Sequence, residues 1–112
     1  MTPEYNPETA YLANMNVAST KNLAASQPSI LIADSLPGLR LYASTIVRKV
    51  STSLGQIYEA ADGQSAIDLA LKYSPELIIM DVAMPGVNGI KAATQIWSVN
   101  PSAKILFWTQ YH

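Results

Sequence analysis

Asp34, Asp81 and Thr109 are the residues of this chain whose types and settings best suit phosphoryl and cation chemistry. Each closes a short apolar run: Ser29-Ile30-Leu31-Ile32-Ala33-Asp34, Glu76-Leu77-Ile78-Ile79-Met80-Asp81 and Lys104-Ile105-Leu106-Phe107-Trp108-Thr109. An aspartate at a strand tip can simply bond loop amides. Two of them on one rim make that reading less comfortable. Two like charges about 4 Å apart repel by roughly 4 kcal/mol at an effective dielectric near 20. A divalent cation relieves the repulsion, and Mg2+ accepts few protein carboxylates plus waters and phosphate oxygens. A carboxylate held this way can attack phosphorus. Thr109 either bonds its own backbone at the strand end or lends its hydroxyl to the same pocket.

Elements must bring these residues together. Runs apolar on both faces belong inside a parallel sheet covered by helices. Sites in such sheets lie beyond the carboxyl ends of the strands. The run at 30–33 reads as a buried strand. Leu36, Leu39, Ala43, Ile46, Val47, Val50 and Leu54 then recur at helical spacing, with Pro37 in the first turn and Gly55 at the end. Arg40, Arg48 and Lys49 fall on or near the solvent side. Residues 56–60 form a weaker edge strand, and Asp62-Gly63 a turn. A second helix spans 64–73, with Ala66, Ile67, Ala70 and Leu71 on one side and Pro75 after it. The third strand is 77–80. A turn-rich loop carries Met84-Pro85-Gly86 and Asn88-Gly89. Asn88 caps a helix over 89–99 that buries Ile90, Ala93 and Trp97. The fourth strand is 105–108, and Trp97 and Trp108 read as core. The alternation β-α-β-α-β-α-β implies right-handed crossovers and an α/β doubly wound sheet.

Composition narrows the function classes. The chain has 112 residues, 49% hydrophobic and 13% charged, enough for one packed domain and too apolar for global disorder. The net charge is -1 with no run of like charge, so no nucleic-acid footprint is expected. No apolar stretch has the length of a membrane span, and the N-terminus lacks a secretory pattern. There are no cysteines, hence no thiol chemistry, and a cytoplasmic setting is the default expectation. Residues 1–28, with Pro3, Pro7 and Pro28, read as an N-terminal extension. It is expected to be either a mobile tail or a short helix between Pro7 and Ala25.

The segment 29–112 resembles the receiver domain of bacterial two-component response regulators. The resemblance rests on Ile78-Ile79-Met80-Asp81-Val82-Ala83-Met84-Pro85-Gly86-Val87-Asn88-Gly89, with Ala60-Ala61-Asp62-Gly63 before it and Leu106-Phe107-Trp108-Thr109 after it. The run 101–112 is similar to the subfamily that carries a helix-turn-helix output domain. The resemblance implies a flavodoxin-like sheet of strand order 2-1-3-4, with a fifth strand and helix missing from this chain. It implies a signalling phosphoacceptor module rather than an enzyme. Asp81 would take a phosphoryl group from a histidine kinase. Asp34, Asp81 and the backbone carbonyl of Ala83 would hold Mg2+. The Thr109 hydroxyl would contact the phosphoryl group.

Two departures from the family pattern matter. Ser35 stands where a second acid is usual, and offers only a hydroxyl to the metal. The family's lysine lies at the tip of a fifth strand, and no residue matches it: Lys104 opens the fourth strand and Lys91 belongs to a helix. A receiver-like interaction or dimerisation domain that is never phosphorylated is therefore the competing expectation. The fourth strand is expected to be an apolar edge, a route to a homodimer. A flavin-binding or phosphatase reading fails, because Asp34-Ser35-Leu36-Pro37-Gly38 is no phosphate loop and no second Asp follows Asp34 or Asp81 at a spacing of two. His112 ends the chain and is expected to be solvated.

Overall fold

Ile30, Leu31, Ile32 and Ala33 are all buried, which demands cover on both faces of their strand. The computed structural model describes residues 12–13, 16–18 and 27–109, and supplies that cover. The main sheet holds β1 (Ile30–Ala33), β2 (Ile57–Ala60), β3 (Leu77–Asp81) and β4 (Ile105–Trp108). The helices are α1 (Pro37–Val50), α2 (Gly63–Tyr73) and α3 (Gly89–Val99). All pairings are parallel, and the spatial order is β2-β1-β3-β4, as expected.

Alternate side chains point to opposite faces of a strand, so each inner strand feeds two cores. Leu31, Ala33, Ile78 and Met80 join Ala66, Ile67, Ala70, Ala92 and Ile96 of α2 and α3. Ile30, Ile32 and Ile79 join Ala43 of α1 on the other face. Two helices thus cover one face and α1 covers the other.

Helix boundaries follow local chemistry. Pro37 opens α1, where its missing N–H costs nothing. Arg48 and Lys49 sit in its last turn, favourable to the helix dipole. The Asp62 carboxylate accepts from the Ser65 N–H and caps α2, so the expected turn is also a helix cap. Its carboxyl is held below the ordinary value chiefly by that amide and secondarily by the Ser65 side chain, with burial opposing weakly. Ser74 adopts the left-handed conformation at φ 46°, ending α2 before Pro75. Asn88 caps α3 through the Lys91 N–H, as expected.

Several expectations need correction. The α1 stripe is only partly used: Ala43 is buried, while Leu36, Ile46 and Val50 are exposed, because one helix over a four-stranded face leaves its flanks uncovered. The helix ends at Val50, short of Gly55. Gly55 instead donates its N–H to Pro28 O at 2.8 Å as the chain straightens into β2. On α2, Leu71 is exposed. On α3 the buried set is Gly89, Ala92, Ala93 and Ile96, not Ile90 and Trp97. Small residues face inward there, because α3 lies close to the sheet and to α2. Trp97 is 37% exposed, meets Phe107 edge-on at 6.3 Å and donates Nε1–H to Ala103 O.

Leu12–Ala13 and Asn16–Ala18 form a short antiparallel pair. The helix considered between Pro7 and Ala25 does not run through them, as its ragged apolar spacing allows. The rest of the expected extension up to Ser26 lies outside the described residues, as do Gln110, Tyr111 and His112. Among the described residues no helix is long and apolar enough to cross a membrane.

Two glycines permit backbone approaches beside the strand tips. A Cβ on Gly63 would lie 1.8 Å from Val87 O, and one on Gly89 would lie 2.1 Å from Asp81 O. Gly63→Ala should therefore push α2 off the 82–88 loop. We expect a loss of more than about 2 kcal/mol in urea unfolding, whereas Gly38→Ala, with open space around it, should be neutral or slightly stabilising.

Candidate functional site

The parallel register aligns the strand tips. Ala33 pairs with Met80, so Asp34 and Asp81 stand side by side at the ends of adjacent strands, whose backbones lie about 4.8 Å apart. Asp81 in turn pairs with Trp108, and Thr109 follows one residue later. The Val82 N–H donates to Trp108 O at 3.2 Å, holding the third and fourth tips together. Asp34, Asp81 and Thr109 thus share one rim.

Both carboxylates are buried, at 0% and 1% exposure. Each has one oxygen engaged and one not. Asp34 Oδ1 accepts the Leu36 N–H at 2.8 Å, and Asp81 Oδ1 accepts the Ala83 N–H at 3.2 Å. Among the described residues Asp34 Oδ2 and Asp81 Oδ2 have no hydrogen-bond partner. A buried carboxylate oxygen without a donor is costly. Two together call for a cation. Among the described residues no cluster of three His, Cys, Asp or Glu exists. Mg2+ takes few protein carboxylates and completes its shell with waters and carbonyl or phosphate oxygens, so the donor set fits that ion. Ser35 is half-buried next to Asp34, and Ala83 is on the exposed loop two residues past Asp81.

Thr109 is exposed and lines a groove of about 110 Å³ with Asp34, Leu39, Tyr42 and Trp108. Trp108 is half-buried against the α1-side core, as expected in kind, but its Nε1–H has no acceptor among the described residues. Lys104 and Lys91 are both exposed; Lys104 precedes β4, at the opposite end of that strand from Thr109, and Lys91 lies in the first turn of α3.

Arg40 is the residue that sequence reasoning misplaced. Its side chain is only 16% exposed. Nη1–H donates to Asp34 O at 2.7 Å and Nε–H to Glu59 Oε1 at 2.9 Å. The signal was present in the first-turn position of Arg40, which directs a long side chain back toward the strand tip. Its acceptors come from a loop carbonyl and from the edge strand, which helical periodicity does not reveal.

Electrostatics sets Asp81 apart. Burial pushes its carboxyl above the ordinary value of 3.8; the Ala83 N–H pulls it down, and the neighbouring Asp34 charge raises it further. A carboxylate raised on folding destabilises the fold once ionised. That cost is absent below pH 3.8, grows as pH rises and is complete above the raised value.

Comparisons with known proteins agree with this geometry. The family model for the response regulator receiver domain matches residues 30–112. The chain is 36% identical over 80 residues to Protein CcdB of Bacillus subtilis (strain 168), covering 71% of this chain and 65% of that protein. It is 31% identical over 77 residues to the chemotaxis protein CheY of Thermotoga maritima, covering 69% and 62%. Among solved structures, a LuxR-family two-component response regulator from Aurantimonas sp. SI85-9A1 superposes with a TM-score of 0.71 at 28% identity, covering 78% of this chain and 61% of that one. The chain therefore spans less than two thirds of the length of each of these proteins.

Replacing the buried charge tests the electrostatics directly. In chelator-treated buffer at pH 7, Asp81→Asn should raise the melting temperature by a few degrees. The gain should shrink as pH falls and disappear below about pH 3.8. Thermal unfolding of both proteins across pH 3 to 8 checks the sign.

Proposed function

The chain belongs to the response regulator receiver domain family, and from that premise we propose that it is phosphorylated on Asp81 by a histidine kinase. Receiver domains are signalling modules of two-component systems. The observation that carries the finer reading is the pair of unpartnered buried oxygens, Asp34 Oδ2 and Asp81 Oδ2, at the tips of adjacent strands.

In this reading an Asp81 carboxylate oxygen attacks the phosphorus of a phosphohistidine. The new O–P bond forms as the N–P bond breaks, and the imidazole leaves with the electron pair and takes a proton from solvent. Asp34, Asp81 and the Ala83 carbonyl, with Ser35 offering a hydroxyl, would hold Mg2+. That ion supplies charge neutralisation on the transferring oxygens. Asp34 stands beside the attacking carboxylate, and the Ala83 N–H orients it. The product carries a charge of roughly -1.5 to -2 beside the rim. Thr109, one residue past the β4 residue that pairs with Asp81, offers the hydroxyl suited to contact it. A shift of Thr109 moves the end of β4 and so alters the face presented to partners. A cytoplasmic setting, where the kinase partner would act, goes with this role.

A second reading is favoured by two observations: among the described residues none lining the groove is basic, and position 35 is a serine. A receiver that works by association alone would tolerate both. Its natural contact is the edge of β4, where Leu106 is 56% exposed. The two readings separate by experiment. With a small acyl phosphate and magnesium, the protein should gain one phosphoryl mass at Asp81, and Asp81→Asn should gain none while keeping its fold. No gain under conditions where a control receiver reacts selects the association reading.

Position 35 gives a graded test. Ser35→Asp adds a charge where the family usually has one, and should tighten magnesium binding about tenfold by calorimetric titration. Equal affinities would remove Ser35 from the metal site. Association through β4 predicts a dimer mass by light scattering at high concentration, reduced by Leu106→Lys; a monomeric mass throughout excludes it.

A further inference from the structure

Asp34 has to carry more of the cation site here than an aspartate with an acidic neighbour would, because Ser35 follows it. Its aim then depends on how its backbone is held. The Asp34 N–H is tied to Ala60 O at 3.0 Å, in line with the β1–β2 ladder. Beyond that bond the ladder stops, and the Asp34–Ser35 peptide has to be fixed by something else. The Arg40 guanidinium does this through Nη1–H to the Asp34 carbonyl at 2.7 Å. Turning that peptide would also move Leu36, whose N–H holds Asp34 Oδ1 at 2.8 Å. The carbonyl and the carboxylate of Asp34 are therefore locked together.

Arg40 is itself anchored. Its Nε–H meets Glu59 Oε1 at 2.9 Å, on the edge strand one residue before Ala60. One planar guanidinium thus spans from β2 to the tip of β1, with two N–H groups in fixed directions, a fork that a lysine ammonium does not reproduce. A surface ion pair alone would contribute little. Here the same side chain is mostly covered and its second bond goes to the backbone of a site residue.

We infer that Arg40 is a positioning residue for the cation site, setting the aim of the Asp34 carboxylate toward Asp81, and that Glu59 orients Arg40. The inference rests on the reading of Asp34 and Asp81 as a magnesium site. Groups that orient metal-binding carboxylates commonly affect affinity by 10- to 100-fold when removed.

The test uses the full chain and two independent measurements: amide hydrogen exchange at Leu36, made without metal, and calorimetric titration with magnesium chloride. Arg40→Met should speed Leu36 exchange at least tenfold while leaving amides of α3, such as Ile96, unchanged. It should weaken magnesium binding about tenfold. Arg40→Lys should recover only part of either effect, and Glu59→Gln, which keeps an acceptor oxygen, should stay within about threefold of the parent. Leu36 exchange and magnesium affinity both within twofold of the parent in Arg40→Met would overturn the inference. So would a uniform acceleration at Leu36 and Ile96 together, which marks Arg40 as merely structural. If the parent protein binds no magnesium, the metal reading fails separately. The exchange at Leu36 then decides alone whether Arg40 holds the Asp34 loop.

Discussion

Two aspartates buried at the ends of neighbouring strands are the constraint from which the rest of this structure follows. Each carboxylate has one oxygen satisfied by an amide two residues on and one oxygen with no donor among the described residues. Such an arrangement persists only where the surrounding fold over-determines it. The register of β1 against β3 places the acids side by side, and the apolar strands leading to them are sealed between helical layers. The fold tolerates this local electrostatic cost because the strand interiors bury so much apolar surface.

The loops after the strands are built for proximity. Gly63 lets α2 approach Val87 O, and Gly89 lets α3 begin against Asp81 O. The Gly89 N–H returns to Val82 O at 2.9 Å, closing the loop that follows Asp81. Around Asp34 the corresponding work is done by side chains, with Arg40 bridging the Asp34 carbonyl to Glu59. One acid is thus held by backbone packing and the other by a guanidinium clamp.

The two faces of the sheet are not equivalent. α2 and α3 seal one face with alanines and isoleucines that permit close packing. On the other face α1 is the one helix among the described residues, and Leu41, Tyr42, Ile46 and Val50 are exposed along it. The groove between α1 and β4 opens on this side and reaches Asp34 and Thr109.

Much of the architecture was legible in the chain. The four strands, the existence of three helices, the Asn88 cap and the convergence of Asp34, Asp81 and Thr109 all follow from continuous apolar runs, helical spacing and turn residues. These are local signals, and the parallel topology adds only a rule about strand ends. What the tertiary structure decided is of a different kind. It set which side of α3 faces inward, turning Trp97 and Ile90 out and Ala92 and Ile96 in. It ended α1 at Val50 rather than near Gly55. It drew Arg40 from an expected solvent position into contact with Asp34 and Glu59. Periodicity names a stripe on a helix, but the rotation of that helix and the partners of a long polar side chain depend on atoms distant in sequence. Only the packed fold brings those atoms within reach.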